Sequence, residues 1–189
     1  MRLRLLLPVL AASAAVASAA SAAPPRFVGT VLNPARPAPD FALRDQSGHV
    51  VRLSKLRGKV VLVTFLYTHC PDVCPLISTH LNDALRRLGP RGGVRVVAVS
   101  TDPKGDTRAS VARFVKTHRL VKEFHYLTGS ESQLAPVWRA WHVAAYPGPN
   151  ATVNHSSFVI LVDRQGKQRL FYDSTVTGPQ IVHDVRLLD

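Results

Sequence analysis

The sequence predicts an α/β protein in which a mixed central sheet is flanked by helices. Three apolar, β-branched runs at 59–66, 94–100 and 158–162 each have the length of a strand buried on both faces. Segments with the apolar spacing of helices lie between these runs. Strands that alternate with helices favour parallel neighbours, and a hairpin near the C-terminus adds antiparallel ones, so the expected sheet is mixed.

The first half of the chain supplies a hairpin and two strand–helix units. Residues 41–53 predict a small N-terminal β-hairpin, with Gly48 at its turn. The strand at 59–66 leads into a helix over 76–88, which Gly89 and Pro90 end. The strand at 94–100 is followed by a helix that begins at 106–107 and runs to about 118.

The second half supplies the remaining elements of the expected layers. Pro136 is expected to interrupt the helix predicted at 130–141. The turn D-R-Q-G links the third central strand to the strand that follows it. In chain order, the expected elements are a short strand at 124–127, the helix at 130–141, strands at 158–162 and 168–173, and a terminal helix at 178–188.

The N-terminal residues predict export. Arg2 and Arg4 precede an apolar stretch and then small residues, a pattern typical of a secretory signal peptide over 1–22. An uncleaved anchor is the alternative, although the apolar stretch is short for a bilayer span of about 20 residues. The Pro-rich segment 23–39 is expected to be flexible, which leaves 40–189 as one domain. The expected location is the periplasm or the outer face of the membrane.

The chain is strongly basic, with a formal net charge of +12. The Arg residues are scattered along the sequence, so we interpret the excess as a compositional bias. Steering towards an acidic partner or an anionic membrane surface is the alternative. The sequence contains no basic stripe with interleaved aromatic residues, so nucleic-acid binding is not expected.

The two cysteines, Cys70 and Cys74, lie in the stretch Y-T-H-C-P-D-V-C-P-L, directly after the first central strand. Pro75 fits only the first turn of a helix and disfavours a helical Cys74, so we expect Cys74 to be the N-cap residue. Both sulfurs would then lie near a helix N-terminus, where partial positive charge favours thiolates. Open α/β sheets also place their sites at this end of the strands.

Three roles are open to such a pair: a structural disulfide, redox exchange or metal binding. A disulfide across so short a loop stabilises by only about 2 kcal/mol, so a purely structural role is disfavoured. Dithiols that exchange disulfides usually have two intervening residues, whereas this pair has three. A metal would need a third ligand, and His155, just ahead of the third central strand, is the candidate. The residues alone leave redox exchange and metal binding both open.

The chain resembles the Sco/SenC proteins, which are thioredoxin-fold copper chaperones of cytochrome c oxidase assembly. The resemblance spans about 38–187. It is carried by C-P-D-V-C-P, S-T-D-P-K-G-D-T at 100–107 and N-H-S at 154–156. It implies a thioredoxin-like fold and copper, as Cu(I) or Cu(II), bound by Cys70, Cys74 and His155. It also implies that Asp102 lies near the metal, whereas Asn154 stands where the family usually has Asp.

The resemblance implies a copper metallochaperone that delivers its ion to the dinuclear copper site of the oxidase's second subunit. Other copper chaperones or thioredoxin-like reductants are further implied partners. The alternative is a thiol–disulfide oxidoreductase that uses Cys70 and Cys74 to reduce the oxidase's copper-site cysteines or another exported protein. A peroxidase is disfavoured, because Thr64, six residues before Cys70, has no matching proline.

Overall fold

The computed structural model of the chain describes residues 26–148 and 153–188. The predicted signal segment, 1–22, lies outside the described residues. Ten strands and four α-helices occur within this part of the chain. In chain order they are β1 (Thr30–Pro37), β2 (Ala42–Arg44), β3 (Val50–Arg52), β4 (Val60–Leu66), α1 (Val73–Leu88), β5 (Val94–Ser100), α2 (Arg108–Thr117), β6 (Phe124–Leu127), α3 (Glu131–Ala140), β7 (Ala145–Pro147), β8 (Val153–His155), β9 (Phe158–Val162), β10 (Lys167–Asp173) and α4 (Gly178–Arg186).

The central sheet is mixed, as the sequence predicts. Its strand order is β1-β10-β9-β4-β5-β6. Strands β4, β5 and β6 are parallel, whereas β9 and β10 run antiparallel to their neighbours. The predicted N-terminal hairpin forms from β2 and β3, and a second hairpin, which the sequence did not predict, forms from β7 and β8. The α/β class is therefore confirmed.

The core has one layer on each face of the sheet, because β4 is buried along its whole length. Leu62 and Leu66 pack with α1, α2 and α4 on one face. Val63 and Phe65 pack with α3 and the β2–β3 hairpin on the other. Each such side chain stabilises the fold by about 1.5–3 kcal/mol. This double burial holds the end of β4, and the loop after it, in a fixed place.

The Pro-rich leading segment is not flexible throughout, since Thr30–Pro37 forms strand β1 at the edge of the sheet. Its register with β10 shifts between Val31 and Arg36. An edge strand needs hydrogen bonds on one side only, and an irregular register spares Pro34 from donating one. The Pro-rich segment expected to be flexible therefore contains an edge strand.

Helix α3 is also continuous, contrary to the expected interruption at Pro136. The proline removes the hydrogen bond to the carbonyl of Ser132, four residues earlier. Ser132 is exposed and lies in the first turn of the helix, so water can solvate its carbonyl. Among the residues that the structure describes, no helix has the length and apolar character needed to span a membrane.

Candidate metal site

The loop after β4 brings the two cysteines to the start of α1. The helix begins at Val73, with Asp72 at the N-cap position, so Cys74 is the second helical residue and not the N-cap. Pro75 still lies in the first turn. A proline disfavours helical backbone angles at the residue before it, but this is only a preference, and Cys74 is helical all the same. The backbone N–H of Cys74 points at the Cys70 sulfur, 3.4 Å away. The Cys70 sulfur thus accepts a hydrogen bond from an N–H in the first turn of α1, which has no acceptor within the helix.

Topology brings His155 to the same place. Strand β9 pairs antiparallel with β4, and Val159 lies opposite Thr64. The residues just before β9 therefore lie beside the end of β4, where the cysteine loop begins. The β7–β8 hairpin carries His155 in register with Ala145. As a result, His155 Nε2 lies 3.7 Å from the Cys74 sulfur.

Hydrogen bonding orients the imidazole of His155 for ligation. Its Nδ1 lies 3.0 Å from the carbonyl oxygen of Ser156, so Nδ1–H donates and the lone pair is left on Nε2, facing the sulfur. Burial lowers the pKa of His155, which favours the neutral form that a metal ligand must have. The Tyr67 ring packs edge-on against the imidazole, with 5.6 Å between ring centroids.

The two thiols are free and buried, and their acidities differ. A hydrogen bond from Cys74 lowers the pKa of Cys70 to about 5, against the opposing effect of burial. The same hydrogen bond, together with burial, raises the pKa of Cys74 well above its ordinary value. The expectation that the helix terminus favours two thiolates is therefore corrected for Cys74. Before any ligand binds, the pair shares one proton, with Cys70 as the thiolate.

This asymmetry predicts a distinctive pH profile of alkylation. Because a lowered pKa keeps Cys70 charged in weak acid, its reaction with iodoacetamide should persist at pH 6 and be lost as the pH falls through about 5. Cys74 should remain unreactive at neutral pH, since its thiol is protonated and fully buried, whereas 8% of Cys70 is exposed. Mass spectrometry of the alkylated peptides tests both statements. Equal rates at the two cysteines, rising together above pH 8, would contradict the shared proton.

Asp102 lies near the site but belongs to a different cluster. Its Oδ1 accepts hydrogen bonds from the backbone N–H groups of Lys104 and Gly105. Ligand-type atoms of His69, Asp102 and Asp106 all lie within 4.8 Å of one another. His69, the residue before Cys70, is exposed and contributes a ring nitrogen to this cluster. The structure thus brings Cys70, Cys74 and His155 together and places Asp102 in the adjoining loop.

Asp106 has a structural role that the sequence did not reveal. This buried carboxylate accepts hydrogen bonds from the Thr68 N–H at 2.8 Å, the Ser100 hydroxyl at 2.6 Å and the Tyr126 hydroxyl at 3.0 Å. It therefore ties the cysteine loop to the ends of β5 and β6. Only its place in the D-P-x-x-D-T run signals its importance, because a helix-start aspartate is ordinary.

Replacing Asp106 by alanine should destabilise the protein by at least about 3 kcal/mol. Three donors would lose their acceptor, and each unpaired buried group costs about 1–3 kcal/mol. Denaturant unfolding monitored by circular dichroism measures the change. Asp83→Ala is the control, since it removes a solvent-exposed ion pair with Arg87, worth under about 1 kcal/mol. Equal losses in the two variants would refute the anchoring role of Asp106.

Comparison with known proteins places the chain in a family. The family model described as SCO1/SenC matches residues 30–188. The chain belongs to this family. The domain expected from the sequence begins at residue 40. The family match and the sheet both begin earlier, at strand β1.

The chain is similar to other Sco proteins in sequence and in fold, and one of the similar structures contains bound copper. The bovine mitochondrial protein SCO2 homolog is 34% identical over 159 residues, which cover 78% of this chain and 58% of the bovine protein. The chain thus spans little more than half of that relative's length. The structure of ScoI from Bradyrhizobium japonicum with copper bound is 28% identical, with a TM-score of 0.73, covering 82% of this chain and all of that one. BsSco, in which a disulfide switch was identified, is a member of the Sco family of cytochrome c oxidase assembly proteins. Its structure is 27% identical, with a TM-score of 0.69, covering 82% of this chain and 96% of that one.

Proposed function

We propose that this protein is a copper metallochaperone that binds one copper ion through Cys70, Cys74 and His155. In this proposal it delivers the ion to the dinuclear copper site of the second subunit of cytochrome c oxidase. The observation that carries the proposal is the 3.7 Å approach of His155 Nε2, with its lone pair free, to the Cys74 sulfur. Copper-bound relatives such as the Bradyrhizobium protein support the choice of cargo.

The donor spacing suits a metal. In zinc sites, bonds to thiolate and imidazole are about 2.3 Å and about 2.0 Å long. Bonds of that length at angles of about 110–120° hold the sulfur and nitrogen about 3.5–3.7 Å apart. The distance between Cys74 and His155 already lies at this value, so the protein needs little rearrangement to take up an ion. Because the two side chains are already in position, binding an ion costs little conformational entropy.

The donor chemistry favours copper. Thiolates select Cu(I), and imidazole suits copper in both oxidation states. Three donors leave the ion with low coordination, so a better-equipped acceptor can remove it. Binding also requires loss of the proton that Cys70 and Cys74 share, so copper uptake should release a proton and weaken in acid. We further propose that Asp102, in the loop beside the site, influences copper loading.

A second function, thiol–disulfide oxidoreductase, is favoured by the lowered pKa of Cys70. The Cys70 thiolate would attack one sulfur of a partner's disulfide and form a mixed disulfide, expelling the other partner sulfur as a thiolate. Cys74 would then give its proton to the expelled partner thiolate and attack the Cys70 sulfur, closing the intramolecular disulfide, releasing the partner's second sulfur as a thiolate and leaving the partner reduced by two electrons. A thioredoxin-like reductant would have to regenerate the pair.

Copper loading and transfer test the chaperone function directly. The reduced protein should bind one copper ion per chain and show sulfur-to-copper absorption after loading with Cu(II). Mixed with the metal-free copper-site domain of the oxidase's second subunit, it should lose the ion to that domain. Failure of the reduced protein to load copper, or loading without transfer, would refute the proposal.

The cellular setting is also part of the proposal. Export by residues 1–22, as a cleaved signal or an anchor, would bring the domain over 40–189 to the periplasm or the outer face of the membrane. The oxidase subunit's copper site and other copper chaperones would meet it there. Mass spectrometry of the mature N-terminus distinguishes a cleaved signal from an anchor.

A further inference from the structure

Helix α2 and its flanking loops carry an unusual concentration of positive charge. Six basic side chains between residues 104 and 122 are exposed, and we call them the α2 basic surface: Lys104, Arg108, Arg113, Lys116, Arg119 and Lys122. The carboxylate in this stretch, Asp106, is buried and already hydrogen-bonded to Thr68, Ser100 and Tyr126. The surface therefore carries no exposed acidic side chain of its own.

The helix presents its charges on one side. Val111 and Phe114 are buried in the core beneath α2. At about 100° per residue, Arg108, Arg113 and Lys116 fall within an arc of about 140° on the opposite side. Arg86 of α1 joins this surface, because its guanidinium donates a 2.6 Å hydrogen bond to the carbonyl oxygen of Arg119.

These cations are not neutralised within the described part of the chain. In the described part of the chain, Lys and Arg ion pairs join Arg52 to Asp40, Arg87 to Asp83 and Arg169 to Asp163. None of the six side chains of the α2 basic surface takes part in them. The net positive charge that looked scattered along the sequence is thus concentrated, in part, on one face of the fold.

The α2 basic surface adjoins the candidate copper site. Lys104 lies in the loop that contains Asp102 and Asp106, and Asp106 is hydrogen-bonded to the backbone of Thr68, two residues before Cys70. A protein that docks at the N-terminal end of α2 would therefore lie close to the loop that holds the thiols. Arg side chains suit such docking, since a guanidinium pairs with carboxylates through two parallel hydrogen bonds.

We propose that the α2 basic surface docks a carboxylate-rich patch of the protein that exchanges copper with Cys70, Cys74 and His155. This inference rests on the proposed copper function. A protein partner is favoured over a lipid surface because interfacial helices insert an apolar face, and that of α2 is occupied by the core. The exposed large apolar side chains of the described residues all lie outside 104–122. Electrostatic docking of this kind acts mainly on the association rate and weakens with salt.

A charge-reversal variant tests the proposal. The variant Arg108→Glu/Arg113→Glu/Lys116→Glu changes the net charge by the same amount as a control, Lys55→Glu/Arg57→Glu/Lys167→Glu. All six positions are exposed. The control residues lie away from α2: Lys55 and Arg57 follow β3, and Lys167 begins β10. The probe is the soluble copper-site domain of the oxidase's second subunit. Stopped-flow association is measured with reduced, metal-free protein at ionic strengths of about 0.01 M and about 1 M.

At low salt, the α2 variant should associate at least about tenfold more slowly than the wild type and the control, and high salt should bring all three rates together. Equal slowing in the α2 variant and the control would overturn the proposal, because net charge alone would then suffice. Failure of the wild type to associate would also overturn it. Binding of the three proteins to phosphatidylglycerol vesicles is also measured. If the α2 variant lost vesicle binding but associated with the copper-site domain as fast as the wild type, the surface would instead be a membrane contact. Copper stoichiometry of each variant is measured separately, so failure of the copper site is distinguishable from failure of docking.

Discussion

Replacing His155 by alanine is expected to lower copper affinity by more than about 100-fold while leaving thiol chemistry intact. Loss of a residue that merely orients a ligand costs about 10–100-fold in metal affinity, and loss of the ligand itself should exceed that. The variant keeps Cys70 and Cys74, so it should still reduce a partner's disulfide. Competition with a chelator of known copper affinity measures the first effect, and release of thiols in the oxidised copper-site domain measures the second.

The control is His49→Ala, at the turn of the β2–β3 hairpin, where the histidine side chain is 81% exposed. It should bind copper as the wild type does. Wild-type affinity in His155→Ala would remove His155 from the ligand set. Rescue of oxidase assembly in cells by His155→Ala, without added copper, would instead favour the reductase function.

Loss of either thiol, or oxidation of the pair, is expected to abolish stoichiometric copper binding. Cys74→Ser removes the sulfur that faces His155, and Cys70→Ser removes the donor that is already a thiolate in the metal-free protein. Each serine variant retains a single soft donor, which is insufficient to hold Cu(I) against competing thiols. A disulfide between Cys70 and Cys74 removes both thiolates at once. Copper analysis after gel filtration measures the bound ion per chain in all three cases.

Redox reversal supplies the control for this prediction. The oxidised wild-type protein should bind no copper and should regain one ion per chain after reduction, whereas both serine variants should remain empty under either condition. One copper ion per chain in the oxidised protein would show that the ion lies elsewhere, for example among His69, Asp102 and Asp106.

The parts of the fold that were predictable are those with a strong local signal. The three apolar runs that became β4, β5 and β9 are rich in β-branched residues and bounded by turn residues, so length and composition agree. The closing β9–β10 turn was visible from D-R-Q-G, in which Asp163 accepts hydrogen bonds from the backbone N–H groups of Gln165 and Lys167. The mixed sheet followed from the order of these elements.

The elements that escaped prediction depend on partners distant in sequence. Strand β1 exists because β10 offers a free edge, and its prolines hide it from any local pattern. The β7–β8 hairpin has strands of three residues each, too short to show a period. Tertiary context likewise settled the start of α1, where the Cys70 sulfur receives the N–H of Cys74 and the helix extends past Pro75.

The sequence nominated the candidate site residues but did not predict their electrostatics. The motif and the resemblance nominated Cys70, Cys74 and His155, and the structure brings all three together. The unequal acidities of the thiols depend on their mutual hydrogen bond and on burial, which a sequence does not display. The anchoring role of Asp106 depends on three donors from separate elements, and the α2 basic surface appears only once buried and exposed positions are known.

X-ray absorption spectroscopy of the Cu(I)-loaded, reduced protein is the decisive test of the proposed three-ligand copper site, because it counts the atoms bonded to copper. We expect two sulfur ligands and one imidazole nitrogen, supplied by Cys70, Cys74 and His155. In His155→Ala, the multiple-scattering signal of the imidazole should disappear while the two sulfurs remain. A wild-type spectrum with sulfur ligands alone, or one with only nitrogen and oxygen ligands, would contradict the account.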